Sequence, residues 1–182
     1  MNSKTLLATD VATPVATPAA TKSVNATYRL LIDGEWVPGQ GRLVDVIDKY
    51  RLKAFATLTT ASQTQVQLAV DSAHAAFRRG VPVAFERGAV LERAAALVEA
   101  RLDDFVRTMQ LEAGFTAADA GGEVRRCIQT LKLSAEEARR LAGEVVPLAG
   151  APNQAGRLAF TLRVPLGVVA AITPFNLSLI HI

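Results

Sequence analysis

The feature that most constrains the fold is a short, wholly apolar run at residues 168–172, Val-Val-Ala-Ala-Ile, which lies between Gly167 and Pro174. An apolar run bounded by two such residues predicts a β-strand that is buried on both faces. A strand of that kind belongs in the middle of a parallel sheet with helices on either side. The sequence ends at Ile182, soon after this run. We therefore expect the sheet partners to lie outside this sequence, and we interpret the chain as the front part of a larger protein.

Composition narrows the classes of protein that this chain can represent. Half of its 182 residues are hydrophobic, and its net charge of +3 comes from arginine and glutamate interspersed along the chain, which is typical of a solvated surface. No basic stripe is interleaved with aromatic residues, and no apolar run is long enough to cross a bilayer. We therefore expect neither nucleic acid nor a membrane as a partner. The single cysteine, Cys127, excludes an intrachain disulfide and a cysteine-based zinc site, so we expect no metal and a cytoplasmic location.

The first half of the chain contains three local patterns with clear structural meaning. Residues 1–26 are rich in alanine, threonine and proline, and this composition predicts a disordered tail. Asp33 and Gly34 stand between two apolar runs, which predicts a β-hairpin, and residues 44–47 predict another short strand.

Apolar residues at helical spacing predict a largely helical centre. Ser62 with Gln65 three residues later forms the pattern of a capping box, which predicts a helix start. Four residues of that helix recur at helical spacing and predict a buried stripe: Val66, Val70, Ala73 and Phe77. Further helices are predicted over residues 85–102, 103–114 and 123–143, with Thr116 and Asp119 as an earlier start of the last one that Gly121 and Gly122 disfavour. Cys127 lies on the last helix beside Val124, Ile128 and Leu131, so we interpret it as a buried apolar residue.

Residues 163–176, Arg-Val-Pro-Leu-Gly-Val-Val-Ala-Ala-Ile-Thr-Pro-Phe-Asn, resemble the NAD(P)-dependent aldehyde dehydrogenase superfamily, whose members carry a Pro-Xaa-Gly-Val-Val strand followed by a Pro-aromatic-Asn turn. The resemblance extends back to about Leu30 and includes residues 141–147, Leu-Ala-Gly-Glu-Val-Val-Pro. It implies an α/β fold, the N-terminal helical part of a Rossmann-like dinucleotide-binding domain that is truncated after its first buried parallel strand. Residues 27–176 would form this incomplete domain, with a strand near 157–164 that joins an oligomerisation sheet.

The resemblance also implies a reaction, the oxidation of an aldehyde to a carboxylic acid with NAD or NADP through a covalent thiohemiacetal in a full-length homo-oligomeric enzyme. Such chemistry needs a thiolate nucleophile, hydrogen-bond donors for the oxyanion, a hydride acceptor and a carboxylate base. By resemblance, Asn176 is the catalytic residue that supplies one oxyanion donor, whereas without the flanking match the residue would be interpreted as a turn cap after Pro174. A second set lies at the carboxyl end of the predicted strand and is expected to hold the nicotinamide-ribose side of the cofactor: Ile172, Thr173, Pro174 and Phe175.

Other parts of the resembled enzyme have no counterpart in this sequence. The nucleophilic cysteine of the family lies further along the chain, so that role does not transfer to Cys127, and no general-base glutamate is expected here. Gly121 and Gly122 lie inside a predicted helix and do not form a phosphate-binding turn. We therefore expect the chain to be inactive alone.

The last six residues, 177–182, depart from the Asn-Phe-Pro continuation of the family, and one choice of codons for them resembles the end of a transposase-based sequencing adapter. We interpret them as a non-native tail, in which Ser178 and His181 have no chemical role, and the competing interpretation is a divergent native terminus. Two alternative functions stay open. One is a non-catalytic helical module that associates through its terminal strands, and the other is an acylating or semialdehyde dehydrogenase of the same superfamily.

Overall fold

The computed structural model describes residues 26–172, and these residues contain seven short strands and four helices. The elements are, in chain order, β1 (Ala26–Tyr28), β2 (Leu30–Ile32), β3 (Glu35–Val37), β4 (Leu43–Ile47), β5 (Ala54–Thr59), α1 (Gln63–Arg79), α2 (Ala84–Ala100), α3 (Leu102–Ala113), α4 (Ala117–Arg140), β6 (Val145–Val146) and β7 (Ala159–Phe160). The predictions for the tail at residues 1–25 and for residues 173–182 lie outside the described residues.

The described strands form three small sheets. β5 is the middle strand of the first sheet, where it pairs in parallel with β1 and antiparallel with β4. β2 and β3 form an antiparallel hairpin, and Asp33 and Gly34 at its turn have left-handed φ angles of 53° and 80°. These angles are what a two-residue hairpin turn requires, so the hairpin prediction is confirmed. β6 and β7 form a two-residue antiparallel ribbon.

A small apolar core lies where α2, α3 and α4 pack together. Its buried members come from all three helices: Ala95, Met109, Ala120, Val124 and Ile128. The predominance of small side chains lets α2 and α4 approach closely along their length. Cys127 is half-buried against this cluster, which confirms its interpretation as a packing residue.

α4 begins six residues earlier than its main periodicity predicted. Thr116 is the N-cap, and its hydroxyl accepts a hydrogen bond from the backbone N–H of Asp119. The helix then continues through Gly121 and Gly122. Gly121 is buried within α4, so the N-cap and tertiary packing offset the low helix propensity of glycine.

The burial predicted for the stripe of α1 is wrong for the described structure. The capping box of α1 is present, but Val66, Val70 and Ala73 are exposed, and Gln65 is the one buried residue of the described helix. The physical reason is that apolar periodicity indicates a face that favours burial but does not supply the partner that buries it.

Two predicted strands near the end of the described range are less regular than the sequence indicates. Within the predicted strand at 158–164 only Ala159–Phe160 pairs. Residues 168–172 are exposed and are not paired into a described sheet, which agrees with the expectation that their sheet partners lie outside this sequence.

Candidate functional site

The structure describes one of the five predicted site residues. Ile172 is the last described residue, and its side chain is 97% exposed. Thr173, Pro174, Phe175 and Asn176 lie outside the described residues, so their roles stay predictions. The described part of the chain contains the segment that leads to these residues, and we call it the leading segment.

The leading segment is anchored just after α4. The backbone N–H of Thr161 donates to the carbonyl oxygen of Glu144 at 2.9 Å, and the N–H of Glu144 donates to the Thr161 hydroxyl at 2.9 Å. A side chain at Gly143 would place its Cβ 1.5 Å from the Thr161 carbonyl oxygen, so only glycine permits this approach. The sequence predicted Gly143 as a helix end and missed this contact, for which the sequence carries no local signal.

Beyond this anchor the segment turns at Gly167, which has a left-handed φ of 105°. Val168, Val169 and Ala170 then line one wall of a groove of about 380 Å³, whose other walls come from β2 and from α1. The side chains along the groove are almost all apolar, with Gln65 as the polar exception. We call this feature the α1 groove. It brings the site-bearing segment against the hairpin and the first helix.

A second cavity, of about 420 Å³, is polar and lies between the β4–β5 turn and α3. Its buried acid, Asp48, accepts hydrogen bonds from the backbone N–H groups of Tyr50 and Arg51, and from the Arg51 guanidinium at 2.8 Å. The hydrogen bonds from Arg51 and Tyr50 hold the pKa of Asp48 below its usual value. A carboxylate that is already engaged in this way stabilises a turn and is a poor proton acceptor.

Two further sites with shifted pKa values, at Cys127 and at the Glu92–Arg139 pair, are also unsuited to catalysis. Burial raises the pKa of the Cys127 thiol, which is the opposite of what an activated thiolate requires. The guanidinium of Arg139 donates to both oxygens of Glu92, at 2.6 and 2.7 Å, and these hydrogen bonds lower the pKa of Glu92. Within residues 26–172, no group of three or more His, Cys, Asp or Glu side chains is arranged to hold a metal ion.

Comparisons with known proteins give the class to which this architecture belongs. A sequence model of the Aldehyde dehydrogenase family matches residues 36–182, so the chain belongs to that family. The chain is 40% identical over 152 residues to 3-sulfolactaldehyde dehydrogenase of Priestia aryabhattai, and the match covers 84% of this chain and 31% of that protein. It is 35% identical over 155 residues to α-ketoglutaric semialdehyde dehydrogenase of Bacillus subtilis, covering 82% of this chain and 30% of that protein.

The fold agrees with that membership. The crystal structure of a NAD-dependent benzaldehyde dehydrogenase from Corynebacterium glutamicum superimposes with a TM-score of 0.62 at 30% identity, covering 68% of this chain and 27% of that one. The chain is therefore part of the α/β fold of aldehyde dehydrogenases, and it spans less than a third of the length of the curated relatives it matches. None of the helices in the described range combines the length and hydrophobicity that a membrane span requires.

Proposed function

We propose that this chain is the N-terminal part of the cofactor-binding domain of an enzyme that oxidises an aldehyde to a carboxylic acid with NAD or NADP. The observation that carries the proposal is the family match over residues 36–182, which includes the strand-and-turn motif at 163–176. In this reaction a thiolate adds to the aldehyde to give a thiohemiacetal, loss of hydride gives a thioester, and water releases the acid. The bound nicotinamide supplies the hydride acceptor.

Within this chain the proposed chemical contribution is that of Asn176. Its side-chain amide N–H would donate to the oxyanion that forms when the thiolate adds, and residues 172–175 would hold the nicotinamide-ribose side of the cofactor. Ile172, the described member of this set, lies almost fully in solvent and borders neither cavity described above. The raised pKa of Cys127 and its place in the helical core also leave it unfit to be the nucleophile. We therefore propose that the 182-residue chain is inactive alone.

Two assays test these statements. The purified chain, mixed with aldehydes and either NAD or NADP, should give no increase in absorbance at the wavelength of the reduced cofactor. Residues 1–176 joined in frame to the part of the Priestia aryabhattai 3-sulfolactaldehyde dehydrogenase that follows its match should give turnover. In that joined protein Asn176→Ala should lower kcat about 10²–10³-fold, as for loss of one oxyanion donor.

The matched control for Asn176→Ala is Asn153→Gly. Asn153 is an exposed asparagine in a turn with a left-handed φ of 61°, so glycine removes the same amide group there without backbone strain. Asn153→Gly should leave kcat unchanged. Equal losses in the two variants would contradict the oxyanion role of Asn176, and turnover by the 182-residue chain alone would contradict its proposed inactivity.

A semialdehyde dehydrogenase is the second candidate, favoured by the similarity to the Bacillus subtilis protein. A panel of 3-sulfolactaldehyde, lactaldehyde and succinic semialdehyde, assayed with and without coenzyme A, separates the candidates. A kcat/KM that is highest for succinic semialdehyde would indicate a semialdehyde dehydrogenase. Acyl-coenzyme A as the product would select an acylating enzyme.

We also propose that the full-length enzyme is a homo-oligomer that uses the strand near 157–164. Leu158, Phe160 and Leu162 are each more than 60% exposed, and β7 pairs on only one side within the described structure. An exposed apolar edge strand favours association with another chain. Light scattering of the joined protein should show a dimer or a tetramer, and Phe160→Asp should shift it toward the monomer. A monomer in the parent protein would contradict this proposal.

A further inference from the structure

The polar cavity of about 420 Å³ between the β4–β5 turn and α3 has no part in the function proposed above. It shares no lining residue with the α1 groove, whose walls are almost entirely apolar. Small-molecule sites are concave and hold their ligand with a few precisely placed polar groups. Most of the side chains that line this cavity are polar or charged: Asp48, Tyr50, Arg51, Arg107, Gln110 and Leu111.

Hydrogen bonds fix the two walls of the polar cavity to each other. The backbone N–H of Lys49 donates to the carbonyl oxygen of Leu111 at 3.3 Å. The Tyr50 hydroxyl donates to the carbonyl oxygen of Gly114 at 3.2 Å. A Cβ at Gly114 would lie 3.1 Å from the Cβ of Lys49, so the turn packs closely on the end of α3. The cavity is therefore preformed, and a ligand binds without the cost of ordering its walls.

The charges that line the polar cavity favour an anion. The carboxylate of Asp48, a residue that is 3% exposed, already accepts from two backbone N–H groups and from Nη1 of Arg51. Within residues 26–172 the other guanidinium nitrogens of Arg51 make no hydrogen bond, and the Arg107 guanidinium makes neither a hydrogen bond nor an ion pair. Asp103, one turn earlier on α3, does not pair with Arg107 either. Two cations thus face the cavity against one carboxylate that is already engaged.

We propose that the polar cavity binds a small anion through a phosphate or carboxylate group, which Arg107 and Arg51 hold with their guanidinium N–H groups. A guanidinium presents parallel N–H donors that match two oxygens of a carboxylate or a phosphate. Gln110 lies three residues after Arg107 on the same side of α3, and its side-chain amide offers a further donor. A metal cation is disfavoured, because Asp48 is the one acidic residue in the lining and its oxygens already have partners.

Calorimetric titration of the purified chain with pyrophosphate and with citrate, in a buffer free of both kinds of anion, tests the proposal. Arg107→Gln should raise the Kd about tenfold or more, because it removes the charge-assisted hydrogen bonds. Arg107→Lys should recover only part of that loss, since it keeps the charge without the two-pronged geometry. The matched control is Arg93→Gln, which removes an exposed helical arginine outside the cavity and should leave the Kd nearly unchanged.

Amide chemical shifts provide a second measurement, because they locate the bound anion. The shifts that follow the ligand concentration should lie in residues 48–51 and 107–111. Circular dichroism should show the same folded spectrum for each variant, since Arg107 is exposed and makes no polar contact within the described range. Binding with these properties supports the proposal, and the tighter probe identifies the anionic group. Equal affinity of the parent chain and Arg107→Gln, shifts elsewhere, or no binding of either probe at millimolar concentration would overturn it.

Discussion

Ser62 and Gln65 cap α1 reciprocally. The Ser62 hydroxyl accepts a hydrogen bond from the backbone N–H of Gln65 at 3.2 Å, and the Gln65 side-chain oxygen accepts one from the N–H of Ser62 at 3.1 Å. The same oxygen also accepts from the N–H of Gln40 at 2.9 Å, and the side-chain nitrogen donates to the carbonyl oxygen of Pro38 at 2.8 Å. One buried amide thus joins the start of α1 to the loop that follows β3.

Gln65→Ala should destabilise the fold more than Ser62→Ala does. Ser62→Ala removes an N-cap, at a cost of about 1 kcal/mol in the free energy of unfolding. Gln65→Ala also removes the partly buried hydrogen bonds to Gln40 and Pro38 in the loop, and each lost hydrogen bond costs about 0.5–1.5 kcal/mol. Urea denaturation followed by circular dichroism measures both variants, with exposed Gln67→Ala as the control. A loss for Gln65→Ala no greater than that for Ser62→Ala would contradict the bridging role.

Gly88→Ala and Gly122→Ala should change stability in opposite directions, although both replace a helical glycine. At Gly88 in α2, a Cβ would lie 2.5 Å from the Nε of Arg139 and 2.9 Å from the backbone carbonyl oxygen of Ala135. The substitution therefore forces α2 and α4 apart, and we expect a loss of about 1–3 kcal/mol in the free energy of unfolding. At Gly122 in α4 a Cβ meets nothing within 4 Å, so alanine should stabilise by about 0.5–1 kcal/mol. Thermal unfolding of the two variants measures the difference.

The absence of a side chain at Gly88 also leaves room for the ion pair between Arg139 and Glu92. Arg139 donates to both oxygens of Glu92, and its guanidinium carbon lies 5.6 Å from the centre of the Phe85 ring. Gly88→Ala should therefore disturb this arrangement, and Arg139→Lys, which keeps the charge but loses the two-pronged geometry, should disturb it without a steric clash. If Gly88→Ala proved as stable as the parent chain, close packing of α2 on α4 would not be what requires glycine there.

The stability contribution of Asp48 should depend on pH in a defined direction. Hydrogen bonds from Arg51 and Tyr50 hold its pKa in the folded state below the value in the unfolded chain. The unfolded state therefore binds the proton more tightly, so the contribution is present above the unfolded pKa, about 3.9, and is lost as pH falls through the folded pKa. The difference in unfolding free energy between the parent chain and Asp48→Asn should be largest near neutral pH and should shrink below about pH 4.

Arg51→Gln provides the matched comparison for this prediction. It removes the guanidinium but keeps the two backbone N–H groups that donate to Asp48, so part of the pH dependence should remain. Urea denaturation of all three proteins across this pH range measures the effect. A constant difference between the parent chain and Asp48→Asn at every pH would show that Asp48 does not titrate differently in the folded and unfolded states.

Local sequence patterns predicted the parts of the fold that are fixed by local geometry. The pair Asp33 and Gly34 predicted the hairpin turn because these residue types readily adopt the left-handed φ angles that the turn has. Ser62 and Gln65 predicted the start of α1 because their side chains cap it. Cys127 was correctly interpreted as a packing residue because its neighbours at helical spacing are apolar. The match over residues 36–182 confirms the family resemblance that the motif at 163–176 indicated.

Features that depend on distant partners were not predictable in the same way. The parallel pairing of β1 with β5 joins residues about thirty positions apart, and no local pattern specifies it. The burial expected for Val66 was wrong because the apolar pattern does not show whether a partner is present. For Asn176 the sequence motif remains the basis of the proposed role, since this residue lies outside the described part of the chain.

The Cys127 thiol should be unreactive in the folded chain. It packs against the cluster formed by Val124 and Ile128, and burial raises its pKa, so both the accessible fraction and the thiolate fraction are small. Reaction with a disulfide reagent at pH 8 should be slow in buffer and should become rapid in urea at the same concentration that unfolds the helices. Cys127→Ala should abolish the signal and leave the circular dichroism spectrum unchanged. Rapid stoichiometric reaction in buffer would contradict the packing role and would reopen Cys127 as a candidate nucleophile.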